Sequence, residues 1–315
     1  MAGTLYLCAT PIGNLQDMRP RVVETLRSVD VIAAEDTRNS IKLLNHFDIH
    51  TPMTSYHEYN KVEKARQLVG RLLAGEDVAL ITDAGTPAIS DPGEVLVALC
   101  QESNVPVTSL PGPSACIVAL TLSGLPTGRF CFEGFLPREK KERRAILGEL
   151  AGEPRTMILY EAPHHLKGTL VELLEALGDR RVTLCRELTK KFETVMPTTL
   201  SRALAFYEKE EPRGEYVLVV AGRSKEELRQ EEIASWESMS IEEHMEYYER
   251  QGMDGKAAMK QVARDRGVGK REIYAKLHGL EQGLEGPQGG PTGRRVPLQE
   301  QRRGLELGEE EEDGC

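Results

Sequence analysis

Val78-Ala79-Leu80-Ile81-Thr82-Asp83-Ala84-Gly85-Thr86-Pro87-Ala88-Ile89-Ser90-Asp91-Pro92-Gly93 is the stretch on which the fold turns. Its first four residues are apolar and partly β-branched, the pattern of a buried strand. The rest is a loop of small residues carrying two carboxylates, Asp83 and Asp91. Gly85, Pro87, Pro92 and Gly93 fix the backbone and leave room for close approach. A loop of this kind at the carboxyl end of a strand is where open α/β sheets bind ligands. The plainer reading is a strand-to-helix turn in which Asp91 caps the next helix.

Working outward, Leu5–Ala9, Val29–Ala33 and Val105–Thr108 read as further strands. Val62, Ala65, Leu68, Val69, Leu72 and Leu73 fall on one face of a helix between them. Strands alternating with helices predict a parallel sheet covered on both faces. Two more small-residue loops follow strands. Ala9-Thr10-Pro11-Ile12-Gly13-Asn14-Leu15 is one, and Leu110-Pro111-Gly112-Pro113-Ser114-Ala115 the other. Neither has the G-x-G-x-x-G pattern or a Walker lysine, which excludes the usual dinucleotide and P-loop sites. Three such loops in one sheet predict a small-molecule site along its edge.

Beyond Gly124-Leu125-Pro126-Thr127-Gly128 the rhythm changes. Phe130–Phe135, Thr156–Tyr160, Val182–Cys185 and Tyr216–Ala221 read as strands. Arg138–Leu150, His164–Leu177 and Thr198–Glu208 read as helices. The organisation expected is an α/β domain over 1–124, a second over 125–224, and a helical appendage over 225–282. In the appendage, a helix ending near Arg266, a Gly267-Val268-Gly269 turn and a basic helix from Lys270 resemble a small helix-turn-helix. A surface helical hairpin is the alternative. Residues 283–315 carry almost no core-forming side chains and read as a disordered acidic tail.

The 315 residues are 40% hydrophobic and 29% charged, as in a soluble globular protein. Cys8, Cys100, Cys116 and Cys185 lie in apolar runs, and the six cysteines have neither metal nor disulfide spacing. No signal peptide and no run of membrane length is present, so a cytoplasmic protein without metal or membrane is expected. The net charge of −10 argues against non-specific nucleic-acid binding. The charge is uneven, however. Residues 136–144 hold five basic side chains against two acidic, and residues 256–276 seven against two. Such patches can bind an anion despite a negative total.

Two polar clusters follow strands: Glu35-Asp36-Thr37-Arg38 and Tyr56-His57-Glu58. Each of these residues taken alone reads as a helix cap or a structural histidine. With them, the order ATPIGNL, VIAAEDTR, YHE, ITDAGTPAISDPG, LPGPSA, FEGFLPR, LYEAPH and RELTKKFE resembles the tetrapyrrole-methylase-fold enzymes, and within them the family of ribosomal RNA small-subunit methyltransferase I. The likeness spans about residues 3–224 and extends weakly through the helix-turn-helix-like segment.

That resemblance implies a two-domain class III methyltransferase fold with S-adenosylmethionine in the cleft between the domains. It implies a homodimer acting on 16S ribosomal RNA or the 30S subunit, by 2′-O-methylation of the cytidine numbered 1402. The cofactor residues it implies are Pro11, Thr82, Asp83, Ala84, Pro87, Ser114, Ala115, Glu161, Leu188 and Thr189. His165 stands where the family often has Arg. The sulfonium methyl needs no activation, so the protein has to align a ribose oxygen and guide its proton away. Glu35, Asp36, Arg38, His57 and Glu58 are the candidates for that role. Arg138, Lys140, Lys141, Arg143, Arg144, Lys270 and Arg271 are the candidates to hold RNA phosphates. Two alternatives remain: a methylase of a tetrapyrrole or modified protein side chain on the same fold, and a non-catalytic RNA-binding assembly factor.

Overall fold

Parallel strands separated by helices make up the first part of the chain. The structure is a computed structural model, and it describes residues 1–278 except Lys225, Glu227, Leu228, Glu231, Glu232, Ser235, Glu237 and Ser238. The region read as a disordered tail lies outside the described residues. The chain divides into two compact units, Met1–Gln230 and Glu231–Cys315.

The first sheet contains β1 (Leu5–Cys8), β2 (Val31–Ala34), β3 (Met53–Ser55), β4 (Val78–Ile81) and β5 (Val107–Leu110) in the order β3-β2-β4-β1-β5. All its pairings are parallel. Every residue of β2 and β4 is buried, which explains their unbroken apolar sequence. Helices α1 (Pro20–Ser28), α2 (Thr37–His46), α3 (Lys61–Leu73) and α4 (Gly93–Glu102) connect the strands. Ala65, Leu68, Val69 and Leu72 are the buried face of α3, and Val62 and Leu73 are exposed. β5 begins at Val107 rather than at Val105. Pro106 has no N–H to give a ladder, and Val105 instead donates back to Cys100 O at 2.9 Å.

α5 (Ala115–Leu122) is mostly apolar; it buries Cys116, Ala119 and Leu120 and leaves Ile117 and Leu122 exposed. Its Cys116, Ala119 and Leu120 pack with Ile12 from the first half and with Ile158, Cys185, Leu188, Val217 and Val219 of the second sheet. One apolar cluster therefore belongs to both halves of this unit.

The second sheet is mixed. Its strands are β6 (Phe130–Phe135), β7 (Thr156–Glu161), β8 (Arg181–Arg186), β9 (Thr194–Thr199) and β10 (Tyr216–Val220), in the order β6-β7-β10-β8-β9. Only β6 and β7 run parallel. α6 (Lys140–Ala151), α7 (Pro163–Leu177) and α8 (Leu200–Lys209) cover it. The expected helix from Thr198 is corrected: Thr194–Thr199 is strand β9, and the helix starts at Leu200. Pro197 lies in β9, which it can do because β9 is an edge strand.

In the second unit, α9 (Ile241–Arg250), α10 (Gly255–Asp265) and α11 (Lys270–Leu277) enclose Met245, Ala258, Val262, Ala263 and Ile273. Ser240 and Glu243 form a reciprocal cap at the start of α9. Gly267, at φ +65°, makes the turn between α10 and α11. His244 is fully buried, stacked on Trp236 with ring centres 4.0 Å apart, and its Nδ1 accepts from Arg266 Nε at 3.1 Å.

Candidate functional site

Because the strands of the first sheet are parallel, the loops after β1, β4 and β5 emerge side by side at one edge. They are joined backbone to backbone. Thr10 and Gly85 exchange N–H···O bonds of 2.9 and 3.1 Å. Thr86 Oγ1 donates to Pro113 O at 2.8 Å, and Thr10 Oγ1 donates to Thr82 O at 3.2 Å. Gly112 lies so close to Ala9 that a side chain there would put Cβ 2.5 Å from the Ala9 Cβ. Ala88 and Ser90 hold left-handed backbone at φ +64° and +63°, an arrangement the surrounding loop must maintain against strain.

These loops form one wall of a cleft of about 550 Å³. The opposite wall comes from the second sheet, where β7 and β8 end and the antiparallel β10 begins. Tyr160, Glu161, Leu188, Lys190, Glu215 and Val217 line it there. The lining carries five carboxylates, Glu35, Asp83, Asp91, Glu161 and Glu215, against one ammonium, Lys190. Lys190 itself lies 3.0 Å from Glu187 and 2.8 Å from Glu215. Burial disfavours its charge, but the two carboxylates outweigh that and raise its pKa. A cleft so acidic suits a ligand with net positive charge and disfavours a bare phosphate.

Residues 4–204 match the family Tetrapyrrole (Corrin/Porphyrin) Methylases. The chain belongs to the tetrapyrrole methylases. Within them it is similar to the Ribosomal RNA small subunit methyltransferase I of Halalkalibacterium halodurans, 49% identical over 276 residues, which covers 88% of this chain and 95% of that protein. The protein of the same name from Bacillus subtilis is 45% identical over 276 residues, 88% of this chain and 94% of that one. Among solved structures, the methyltransferase CobJ superposes with a TM-score of 0.54 at 18% identity, covering 70% of this chain and 95% of that chain. At that identity the likeness speaks for the fold alone.

In this tetrapyrrole methylase the expected cofactor residues fall into two groups. Thr82, Asp83, Ala84, Ser114, Ala115, Glu161 and Leu188 line the cleft. Pro11 and Pro87 are buried and are not among the lining residues; they shape the loops behind it. Thr189 is also outside the lining. It holds φ +65°, and its buried hydroxyl has no hydrogen-bond partner. That hydroxyl would lie 3.0 Å from a Cβ built on Gly13, so the first loop and the Leu188–Lys190 segment meet across the halves. Glu161 is 6% exposed; its carboxylate accepts from Thr169 Oγ1 and, at 2.8 Å, from Ala162 N.

The five candidate catalytic residues separate as well. Asp36 is the N-cap of α2, accepting from Arg38 N at 2.8 Å, and it pairs with the Arg38 guanidinium at 3.0 Å. That pairing holds the Asp36 carboxyl below its ordinary range. Arg38 is 89% exposed at its side chain. Glu58 is exposed and pairs with Lys61 at 2.5 Å. His57 keeps a buried Nδ1 without a partner. Of the five, Glu35 alone lines the cleft. Asp91 lines the cleft and accepts from Gly93 N at 2.8 Å and from Ile89 N at 2.9 Å. It stands one position before the N-cap of α4, which is Pro92 and has no side-chain capping bond, so the cap expected at Asp91 is not formed.

The candidate phosphate-binding residues also divide. Arg138, Lys140, Lys141 and Arg144 are exposed, and no ion pair joins them to another described residue. Arg143 differs from them in its surroundings. Its side chain is 16% exposed and reaches Glu172 at 2.5 Å and Thr169 Oγ1 at 2.7 Å, which occupies it inside the fold. Lys270 and Arg271 are exposed at the start of α11 in the second unit.

Tyr160 was not singled out by sequence reasoning. Ser114, the N-cap of α5, makes no side-chain capping bond; instead Tyr160 Oη accepts from Cys116 N at 3.1 Å, in the first turn of that helix. Burial first, then the Cys116 thiol, pushes the Tyr160 phenol up, so it stays neutral. Its ring meets Phe132 and Phe135 edge-on at 5.0 and 5.6 Å. The only sequence signal for it was its place beside Glu161 at the end of an apolar strand.

Proposed function

We propose that this chain transfers a methyl group from S-adenosylmethionine to ribosomal RNA, at the 2′-oxygen of cytidine 1402 of the 16S species. The observation that carries this reading is similarity along nearly the whole chain to relatives named Ribosomal RNA small subunit methyltransferase I.

The residues of the cleft fit the cofactor. S-adenosylmethionine carries a sulfonium, an ammonium and one carboxylate, so it is net cationic, and the lining is strongly acidic. Gly85 holds φ +88°, a conformation that side chains disfavour, and a Cβ there would come within 3.3 Å of Ile12 and 3.5 Å of Pro113 O, so glycine lets the three loops close together along this wall. Thr82, Asp83, Ala84, Ser114, Ala115 and Leu188 would hold the cofactor, which supplies an already electrophilic methyl. The protein's part is alignment and removal of the hydroxyl proton.

Arg138, Lys140, Lys141 and Arg144 follow Phe135, a cleft residue 58% exposed, by only a few positions. That places cations with no ion pair among the described residues next in sequence to the cleft, suited to RNA phosphates. A ribose target requires an unpaired or splayed nucleotide, whose exposed base can stack on an aromatic ring such as Phe135. Lys270 and Arg271 extend the same chemistry to the second unit. The reading includes a cytoplasmic homodimer.

The test is label transfer from methyl-labelled cofactor to naked 16S RNA and to assembled 30S particles, followed by mapping of the modified nucleotide. Transfer to a cytidine ribose is expected. Label found only on a tetrapyrrole or a protein side chain refutes the RNA substrate. Failure to bind the cofactor by calorimetry would leave the non-catalytic assembly factor. Light scattering at about twice the monomer mass is expected for the homodimer.

A further inference from the structure

The first sheet brings Glu35 into a distinctive setting. β2 lies between β3 and β4, and Ala34 is level with Ser55 on one side and Ile81 on the other. The residues just beyond therefore emerge together: Glu35 from β2, His57 beyond β3, and Asp83 beyond β4. Tyr56 N fixes this level by donating to Ala34 O at 2.8 Å. Asp91 approaches from the far end of the β4 loop, held by its bonds to Ile89 N and Gly93 N.

We propose that Glu35 is the group that accepts the proton of the substrate hydroxyl, and that Asp36, Arg38, His57 and Glu58 are not. This rests on the methyl-transfer reading above. Asp36 and Glu58 have cations of their own, Arg38 and Lys61, and neither lines the cleft. Arg38 is cationic and cannot accept a proton. His57 does not line the cleft. Glu35 is half-buried in the lining, and no described side chain donates a hydrogen bond to it.

The charges around it agree. The charged groups near enough to act on Glu35 are Asp83 and Asp91 from the β4 loop and His57 from the β3 loop. Desolvation is the main influence raising its pKa, and the charge of Asp83 adds to it. The Asp83 backbone N–H opposes this, Asp91 raises it again and His57 lowers it, leaving Glu35 above the ordinary carboxylate value. A raised pKa makes a carboxylate a better proton acceptor near neutral pH.

The step balances. The hydroxyl oxygen forms the new C–O bond as the methyl–sulfur bond breaks. The electron pair of that bond stays on sulfur, giving a neutral thioether. The hydroxyl proton goes to the Glu35 carboxylate, which returns it to water after release.

The experiment uses the full-length chain with Glu35→Gln, Glu35→Asp, Asp36→Asn and Glu58→Gln. Glu35→Gln keeps the shape and removes the base. Expected are S-adenosylmethionine affinity within about threefold of the parent by calorimetry and a kcat lower by about 10² to 10⁴. Partial recovery in Glu35→Asp and near-parental kcat in Asp36→Asn and Glu58→Gln are also expected. In the parent, kcat falls as pH falls and Glu35 becomes protonated, and this acid limb disappears in Glu35→Gln. Carbon NMR of labelled glutamate supplies a readout independent of turnover: the resonance lost in Glu35→Gln titrates above an ordinary glutamate. The proposal is overturned if Glu35→Gln retains kcat within threefold or keeps the acid limb. Loss of cofactor binding in that variant also overturns it, by making Glu35 a cofactor ligand. A parent chain that methylates no RNA form refutes the functional reading instead.

Discussion

The two walls of the cleft are built on different plans. The first wall is made of loops tied to one another, backbone to backbone at Thr10–Gly85 and through the Thr86 hydroxyl to Pro113 O, and its carboxylates Glu35 and Asp83 have few partners. The second wall ties its polar side chains to the protein. Glu161 is held by Thr169 and Ala162, and Thr169 by Arg143. Lys190 is held by Glu187 and Glu215, and Tyr160 by Cys116. The first wall thus keeps Glu35 and Asp83 available for chemistry, whereas the second sets the shape of the space.

If so, substitutions on the two walls should fail in different ways. Glu161→Ala should have the largest effect on stability. It strips a buried acceptor from Thr169 and the Ala162 N–H, and about 2–3 kcal/mol of unfolding free energy should go in urea denaturation. A change below about 0.5 kcal/mol would erase the contrast. Gly112→Ala attacks the first wall through its backbone, since the new Cβ meets that of Ala9 at 2.5 Å. A loss of about 1–3 kcal/mol is expected by the same measurement, with cofactor affinity reduced as the loops part. Tyr160→Phe removes one hydrogen bond across the halves and keeps the ring. About 1 kcal/mol should be lost, with KM for the cofactor rising more than kcat falls. Asp83→Asn sharpens the comparison most, because stability should move by less than about 0.5 kcal/mol while calorimetry shows cofactor affinity down at least tenfold. Equal losses of stability at Asp83 and Glu161 would show that the walls do not differ.

Legibility in the sequence followed the same division. The parallel sheet could be read because buried parallel strands are continuous apolar runs, and β1, β2 and β4 stand out between amphipathic helices. The three small-residue loops that border the cleft could be read because Gly, Pro and small residues cluster after a strand where the backbone turns tightly. The mixed sheet was harder. Strand β9, with Pro197 and three threonines, has no core-facing pattern of its own, and it exists because β8 offers it an edge. Arg143 looked like its basic neighbours in sequence, yet it turns inward to Glu172 and Thr169. Nothing local separates it from Arg144, since the distinction depends on where α7 lies against α6.

Local sequence was enough for the alternation of strands and helices, the small-residue loops at the strand ends, and the cap at Asp36. All of these depend on backbone propensities and on periods of two and 3.6 residues, which are local. Which acidic residues line the cleft and which are occupied elsewhere depended on the packing of distant segments. Glu35 and Asp36 are neighbours in the chain, but one lines the cleft within reach of the charges of Asp83, Asp91 and His57 while the other caps a helix and pairs with Arg38. Strand register set that outcome, because adjacent residues leaving a strand diverge, and their surroundings come from segments far away in sequence.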